Sequence, residues 1–270
     1  MDPPQIPSRL VPEGDVAGAQ ELIEWFNWTD RLFTFRITRP PGYVFKPGQF
    51  ARLGLPIEGE AAWRAYSIVS TTRDEFLEFY GVLVPGGAFS RALADLRTGG
   101  EIWLEKRAYG FMTADRFTDG RDLWLLATGT GLGPYISMLH DSYVWKKFGN
   151  IVLVHGARHA DEFAYQEQLA RLQIHPPIEG RSTQLQIIKV ISSAVEAVER
   201  PDLLAGRVTS LLENFVLETR AGLKIAPENS RVVMCGNPQM IADVRDILKR
   251  RGMRPCRRLL SGHYVAENYW

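Results

Sequence analysis

The sequence predicts two domains, an antiparallel β-rich half, barrel or sandwich, followed by an α/β half of Rossmann-like build. Three observations predict it. A chain of 270 residues is too long for one core of the commonest size and too short for three. From Gln20 to Glu105 short alternating runs are broken by Pro and Gly turns. After Asp119-Gly120, continuous apolar runs alternate with helical periodicity. The boundaries follow as an N-terminal extension over 1–18, a first domain over 19–118 and a second over 119–270.

In the first half the predicted strands are 21–28, 31–38, 49–55, 64–70, 75–84 and 101–105. Pro40-Pro41-Gly42, Lys46-Pro47-Gly48 and Pro85-Gly86-Gly87 separate them, and 89–96 alone reads as a helix. In the second half the runs 123–127 and 151–155 suit strands buried on both faces, with further strands at 185–191, 231–235 and 258–260. Helical patterns over 134–147, 161–172, 210–218 and 238–251 are the expected crossovers.

Composition narrows the function classes. A formal net charge of +1 offers no overall field for nucleic acid or a membrane, so neither is an expected partner. Cys235 and Cys256 form no C-x-x-C pair and cannot supply the four thiolates of an iron-sulfur cluster or zinc ribbon. Residues 1–18 lack a basic start and an apolar core, and the longest apolar stretch, 123–139, is interrupted by Gly129, Gly131, Gly133 and Pro134. A cytoplasmic protein is expected.

The densest local signal is Ala127-Thr128-Gly129-Thr130-Gly131-Leu132-Gly133-Pro134, between a buried strand and a helix. Glycines let a backbone approach a pyrophosphate, and the unpaired N–H groups of a helix start point at it. The glycines run G-x-G-x-G, one residue short of the dinucleotide spacing G-x-G-x-x-G, so a tight strand-to-helix turn explains them equally. The next strand ends at His155-Gly156-Ala157-Arg158, where an Arg rather than an acid favours NADP over NAD, although a solvated loop Arg reads the same way. Asp161 and Glu162 are explained by helix capping, and His155 with His159 has metal-like spacing but no third ligand. In the first half, Arg64-Ala65-Tyr66-Ser67 opens a strand, and Pro85-Gly86-Gly87-Ala88-Phe89-Ser90 makes a second glycine-to-helix anion address. Two phosphate addresses in two domains imply two nucleotides.

R-A-Y-S, G-T-G-L-G-P-Y, C-G-N-P-Q-M and the ending A-E-N-Y-W, in this order, together resemble the bacterial ferredoxin/flavodoxin-NADP reductases, the short group ending in an aromatic pair. The resemblance spans 20–270. It implies an antiparallel FAD-binding β-barrel, an NADP-binding α/β domain and a flavin at the cleft between them. It also implies Arg64 on the FAD pyrophosphate, Tyr66 against the isoalloxazine, Ser67 near flavin N5, Gly87, Ala88 and Ser90 in the pyrophosphate cradle, and Ala65, Tyr80 and Val82 as further cofactor-binding residues. Thr130 and Gly131 would hold the NADP diphosphate, Arg158 and Arg207 the extra phosphate, and Cys235 would face the nicotinamide. Glu267, Asn268, Tyr269 and Trp270 match the ending, with Tyr269 over the flavin and Trp270 on the adenine.

The implied activity is hydride exchange between NADPH and FAD, with Ser67, Cys235, Glu267 and Tyr269 orienting the stack, coupled to single-electron transfer with ferredoxin or flavodoxin. Lys249-Arg250-Arg251 with Arg254, Arg257 and Arg258 forms a basic stretch suited to acidic acceptors, although a solvated helix end with dipole-favoured cations explains it equally, and a monomer without metal is expected. One departure matters. Related reductases carry V-S-R where this chain reads Val190-Ile191-Ser192-Ser193, so a phosphate-binding Arg is replaced by Ser193. Losing one charge-assisted bond of about 1.5 to 3 kcal/mol, where nothing replaces it, relaxes discrimination against NADH by roughly ten- to a hundredfold. Two other readings are a stand-alone NAD(P)H-dependent flavin reductase component of an oxygenase system and a non-catalytic FAD-binding regulatory module.

Overall fold

The computed structural model describes residues 16–178, 180, 182–258 and 260–267, and the chain divides into two compact units, Met1–Gly110 and Phe111–Trp270. Of the expected N-terminal extension, 1–15 lie outside the described residues, as do Asn268, Tyr269 and Trp270. The division precedes Phe111 because the following segment bonds into the second unit. The N–H groups of Phe111 and Met112 donate to the Glu267 carboxylate at 2.5 and 3.1 Å, and Arg116 donates to the Arg257 carbonyl at 2.6 Å.

The first unit is one antiparallel sheet of β1 (Val16–Asn27), β2 (Leu32–Thr38), β3 (Phe50–Ile57), β4 (Glu60–Ser67), β5 (Phe76–Val82) and β6 (Glu101–Glu105), ordered β4-β3-β6-β1-β2-β5. β1 turns a corner: its first half pairs with β6 and its second half with β2, with register shifts at Val16/Gly18 and Leu22/Glu24. The outer strands approach each other just past β4, where Ile68 bridges Phe79 and the Val69 N–H donates to the Glu78 carbonyl at 2.8 Å. The sheet is thus barrel-like around Leu22, Phe33, Phe35, Ile37, Leu53 and Phe79, and α1 (Ala88–Asp95) adds Phe89 and Leu93 to that core. β4 begins at Glu60, earlier than expected, because Glu58-Gly59 makes a two-residue hairpin turn with both φ positive (53° and 84°).

The second unit is a parallel sheet of β7 (Asp122–Thr128), β8 (Asn150–Ala157), β9 (Gln184–Ile191), β10 (Leu204–Ala205), β11 (Ser230–Cys235) and β12 (Tyr264–Glu267). Its order is β10-β9-β8-β7-β11-β12. The chain builds outward from β7 to β10 and then returns to the other side of β7, so the order reverses between β7 and β11. The C-terminal ends of those two strands therefore lie at an order reversal, the place where α/β sheets bind ligands. The helices are α2 (Gly133–His140), α3 (Ser142–Lys147), α4 (Gln166–Ile174), α5 (Ala194–Glu199), α6 (Val208–Glu213), α7 (Val216–Ala221) and α8 (Pro238–Arg250).

Three predicted helices are broken at identifiable residues. Asp141 ends α2 and caps α3 by accepting the Tyr143 N–H at 2.7 Å, Phe215 sits at φ 60° between α6 and α7, and Tyr165 at φ 59° delays α4. Of the strand expected at 258–260, residue 259 lies outside the described residues, and the flanking Arg257 and Leu260 exchange backbone hydrogen bonds with each other. The last strand is β12 instead, parallel to β11 from Tyr264 to Glu267. No helix among the described residues is long and apolar enough to cross a membrane.

Candidate functional site

In the first unit, strand alternation sorts the R-A-Y-S residues onto two faces. Tyr66 turns inward, edge-on to Phe35 (5.5 Å, 85°) and Phe79 (6.3 Å, 75°), and burial raises its phenol pKa. A Cβ on Gly81 would meet the Phe33 ring at 2.6 Å and Tyr66 at 3.1 Å, so this glycine makes room for both rings. Arg64 leaves β4 on the same side as Tyr66, and its guanidinium lies 5.9 Å from the centre of the Phe89 ring, in the first turn of α1. Ala65 and Ser67 take the other face; Ser67 is buried and its hydroxyl makes no hydrogen bond among the described residues. Tyr80 and Val82 leave β5 opposite Phe79.

α1 starts at Gly87 with no side chain capping it, so its first N–H groups lack acceptors within the helix. Arg64 donates only to the carbonyl of Trp63, at 2.8 Å, and has no carboxylate partner among the described residues. A cation with donors to spare therefore stands beside an uncapped helix start, and the two suit a pyrophosphate. The Ser90 side chain is engaged within the turn. Its buried hydroxyl accepts the Val84 N–H at 3.1 Å and donates to the Gly87 carbonyl at 3.2 Å, which shapes the glycine turn and leaves its backbone N–H for an anion.

In the second unit the two loops at the order reversal interlock. The Asn237 N–H donates to Thr128 Oγ1 at 2.8 Å, and a Cβ on Gly131 would meet the Cys235 carbonyl carbon at 2.5 Å and the Gly236 nitrogen at 2.8 Å. Gly236, at φ 130°, lies equally close to the Thr128 backbone. Thr130 sits in the 3-10 turn Gly129–Leu132 that leads into α2. Asn237 caps α8 through its side chain, accepting from Gln239 and Met240 N–H groups.

A cavity of about 650 Å³ opens beside these loops, lined among others by Gly129, Arg158, Ser192, Arg207 and the acids Glu162 and Asp243. Both acids are occupied: Glu162 accepts the backbone N–H groups of Arg158 and His159, and Asp243 accepts from Gln239 at 2.7 Å. The Arg158 and Arg207 side chains are exposed, with no hydrogen bond or ion pair among the described residues. The cavity thus offers two guanidiniums to an anion. Ser193 begins next to them, its N–H donating to the Arg158 carbonyl at 3.1 Å.

Cys235 and Glu267 are register partners on β11 and β12. Cys235 is wholly buried, and burial, reinforced by Glu267, pushes its thiol pKa well up, so it packs as a neutral S–H. His155 and His159 do not share a face: His155 is buried, whereas His159 Nδ1 meets Glu196 at 2.7 Å near the surface. No group of three or more metal-ligating side chains occurs among the described residues. The basic stretch is narrower than expected. Lys249 pairs with Asp246 at 3.2 Å, Arg250 with Glu213 at 2.6 Å and Arg251 with Glu218 at 2.9 Å, which leaves Arg254, Arg257 and Arg258 exposed without carboxylate partners among the described residues.

Sequence reasoning from the residues passed over Gly81, Gly236 and the Thr128–Asn237 tie. A signal for the last was present, since Cys235-Gly236-Asn237-Pro238 repeats the arrangement of buried run, glycine and helix-starting proline seen at 127–134.

Comparisons with known proteins bear on the two halves separately. Residues 23–106 match the family model of the oxidoreductase FAD-binding domain, and residues 125–246 that of the oxidoreductase NAD-binding domain. The chain is 41% identical over 245 residues to flavodoxin/ferredoxin–NADP reductases of Shigella flexneri and Escherichia coli (strain K12), covering 90% of this chain and 95% of each relative. A crystal structure of a ferredoxin NADP+ reductase from Neisseria gonorrhoeae with bound FAD and NADP matches with a TM-score of 0.87 at 32% identity, over 96% of this chain and 100% of that one.

Proposed function

The chain belongs to the flavodoxin/ferredoxin–NADP reductases, and from that premise we propose how its residues divide the work of passing electrons between NADPH and ferredoxin or flavodoxin. The observation that carries this division is the interlocked pair of loops at the reversal of the parallel sheet, beside a cavity with two unpaired guanidiniums. FAD, when bound, supplies the conversion between two-electron exchange with a nicotinamide and one-electron exchange with an acceptor protein, which no side chain can carry.

Arg64 and the first N–H groups of α1, including that of Ser90 with Gly87 and Ala88, hold the FAD pyrophosphate. Tyr66 with Ala65, Tyr80 and Val82 lines the flavin, and Ser67 directs its unengaged hydroxyl to it. Thr130 and Gly131 receive the dinucleotide diphosphate, while Arg158 and Arg207 bind the phosphate that distinguishes NADPH. Cys235 and Glu267, adjacent at the ends of their strands, orient the nicotinamide, with Cys235 acting as a neutral packing group. Asn268, Tyr269 and Trp270 complete the flavin and adenine contacts in this proposal. Arg254, Arg257 and Arg258 steer the acidic acceptor in a transient, salt-sensitive encounter.

Anaerobic mixing with NADPH tests the reading. Bound flavin should bleach, and the electrons should then reach added ferredoxin or flavodoxin. A flavin that stays oxidised with both NADPH and NADH overturns it in favour of a binding module. A second expectation concerns dinucleotide choice: Ser193→Arg places a guanidinium beside Arg158 and should raise the ratio of kcat/KM for NADPH over NADH by about tenfold, the worth of one charge-assisted bond. An unchanged ratio would show that position 193 does not reach the phosphate.

A further inference from the structure

The roles above leave one buried imidazole unused. His155 lies on β8 in register with Ala127 of β7 and Lys189 of β9, at the edge of the dinucleotide loop. It is 1% exposed, with its ring edge-on to Phe163 at 5.2 Å. Its Nε2 lies 3.3 Å from the Gly129 carbonyl, and its Nδ1 has no hydrogen-bond partner among the described residues. Since a carbonyl only accepts, Nε2 carries the proton. Burial above all, with the nearby Lys189 ammonium, lowers the imidazole pKa to about 4 against the pull of that carbonyl, so the ring is neutral at physiological pH. Burying an imidazole with one nitrogen unpaired costs stability that an apolar ring would not, which points to a task for Nε2.

The partner of Nε2 is the glycine that opens the dinucleotide loop. Gly129 begins the 3-10 turn Gly129–Leu132 at φ 53°, and a Cβ there would meet nothing within 4 Å, so no neighbouring side chain packs against its Cα and the imidazole ties its carbonyl to β8. That peptide is trans, and in a trans peptide the C=O and the following N–H point in opposite directions. Drawing the Gly129 carbonyl inward therefore turns the Thr130 N–H outward. We infer that His155 is a positioning residue for dinucleotide binding: its Nε2–H fixes the Gly129–Thr130 peptide so that the Thr130 N–H faces the diphosphate. The inference rests on the proposed NADP(H) reading of this loop.

The test compares NADP+ with 2′-AMP, which carries the distinguishing phosphate but no diphosphate, by calorimetric titration of the flavin-loaded protein. His155→Phe should weaken NADP+ about tenfold, the worth of one buried hydrogen bond, and leave 2′-AMP binding within twofold. His155→Gln, which restores an N–H donor, should recover most of the loss. Equal weakening of both ligands, no weakening of NADP+, or failure of Gln to rescue overturns the inference. Wild-type protein that binds 2′-AMP but not NADP+ overturns the dinucleotide reading beneath it. Nitrogen-15 NMR of the unmutated protein at pH 7 gives a check free of folding effects: the neutral Nε2–H tautomer is expected for His155, and an Nδ1–H tautomer or an imidazolium overturns the positioning role.

Discussion

Replacing Gly131 with alanine is expected to weaken NADP+ binding a hundredfold or more while flavin content stays at the wild-type level. The three atoms nearest the added Cβ are all backbone, among them the Cys235 carbonyl carbon at 2.5 Å and the Gly236 nitrogen at 2.8 Å, so rotation of a side chain cannot relieve these contacts. The two loops must separate, and the Thr128–Asn237 hydrogen bond that joins them is stretched. Overpacking of this kind costs about 1 to 3 kcal/mol. Its larger consequence is geometric, because phosphate-facing N–H groups on both loops move together. Gly129→Ala is the matched control. Its Cβ has open space and suffers only the left-handed φ of 53°, a strain of about 1 to 2 kcal/mol. If that strain relaxes through the loop, binding weakens by tenfold or so at most. Titration with NADP+ separates the two, and Gly131→Ala binding within threefold of wild type would mean that close approach of the loops is not what holds the dinucleotide.

Gly131 also shows how far residues alone could be read. The glycine spacing marked a strand-to-helix turn, and the buried runs around it marked a parallel sheet, because both signals are local. What the glycine packs against was not local: Cys235 and Gly236 lie about a hundred residues later and reach it only because β11 inserts beside β7. β12 escaped notice for a related reason. Four residues, Tyr264 to Glu267, carry too short an alternation to stand out, and the strand is defined by pairing with β11. The helix breaks at Tyr165 and Phe215 were illegible because positive φ at a large aromatic residue runs against local preference and is imposed by tertiary packing.

Charge was legible as composition but not as availability. Lys249, Arg250 and Arg251 form a basic run in sequence, yet each is neutralised by an acid, and Arg250 and Arg251 find theirs on a different helix, α6 or α7. Arg158 and Arg207, single cations in unremarkable loops, are the ones left without partners at a cavity. Pairing in space decides which cations can receive a ligand, and sequence proximity says little about it.

Arg64→Ala should give a folded protein that loses its flavin. Arg64 is exposed and its hydrogen bond to protein is to the carbonyl of its own neighbour, so removing it costs the fold little beyond a ring contact with Phe89 of about 0.5 kcal/mol. The cost falls on the pyrophosphate. Two charge-assisted hydrogen bonds of about 1.5 to 3 kcal/mol each weaken FAD binding by at least a hundredfold when they are lost. The uncapped start of α1 remains and retains part of the affinity. Arg64→Lys should recover only part of the loss, since a point charge cannot form the two-pronged contact. The readouts are the flavin-to-protein absorbance ratio after gel filtration and the thermal midpoint with and without added FAD. Flavin-free wild type and Arg64→Ala should unfold within about 2 °C of each other, because the side chain adds little to the fold besides the Phe89 contact. With FAD present the wild type should gain more than the variant, since a ligand stabilises by RT ln(1 + [L]/Kd) and the variant's Kd has risen. A lower midpoint for the flavin-free variant would assign Arg64 to the fold. Equal flavin retention would remove it from the pyrophosphate site.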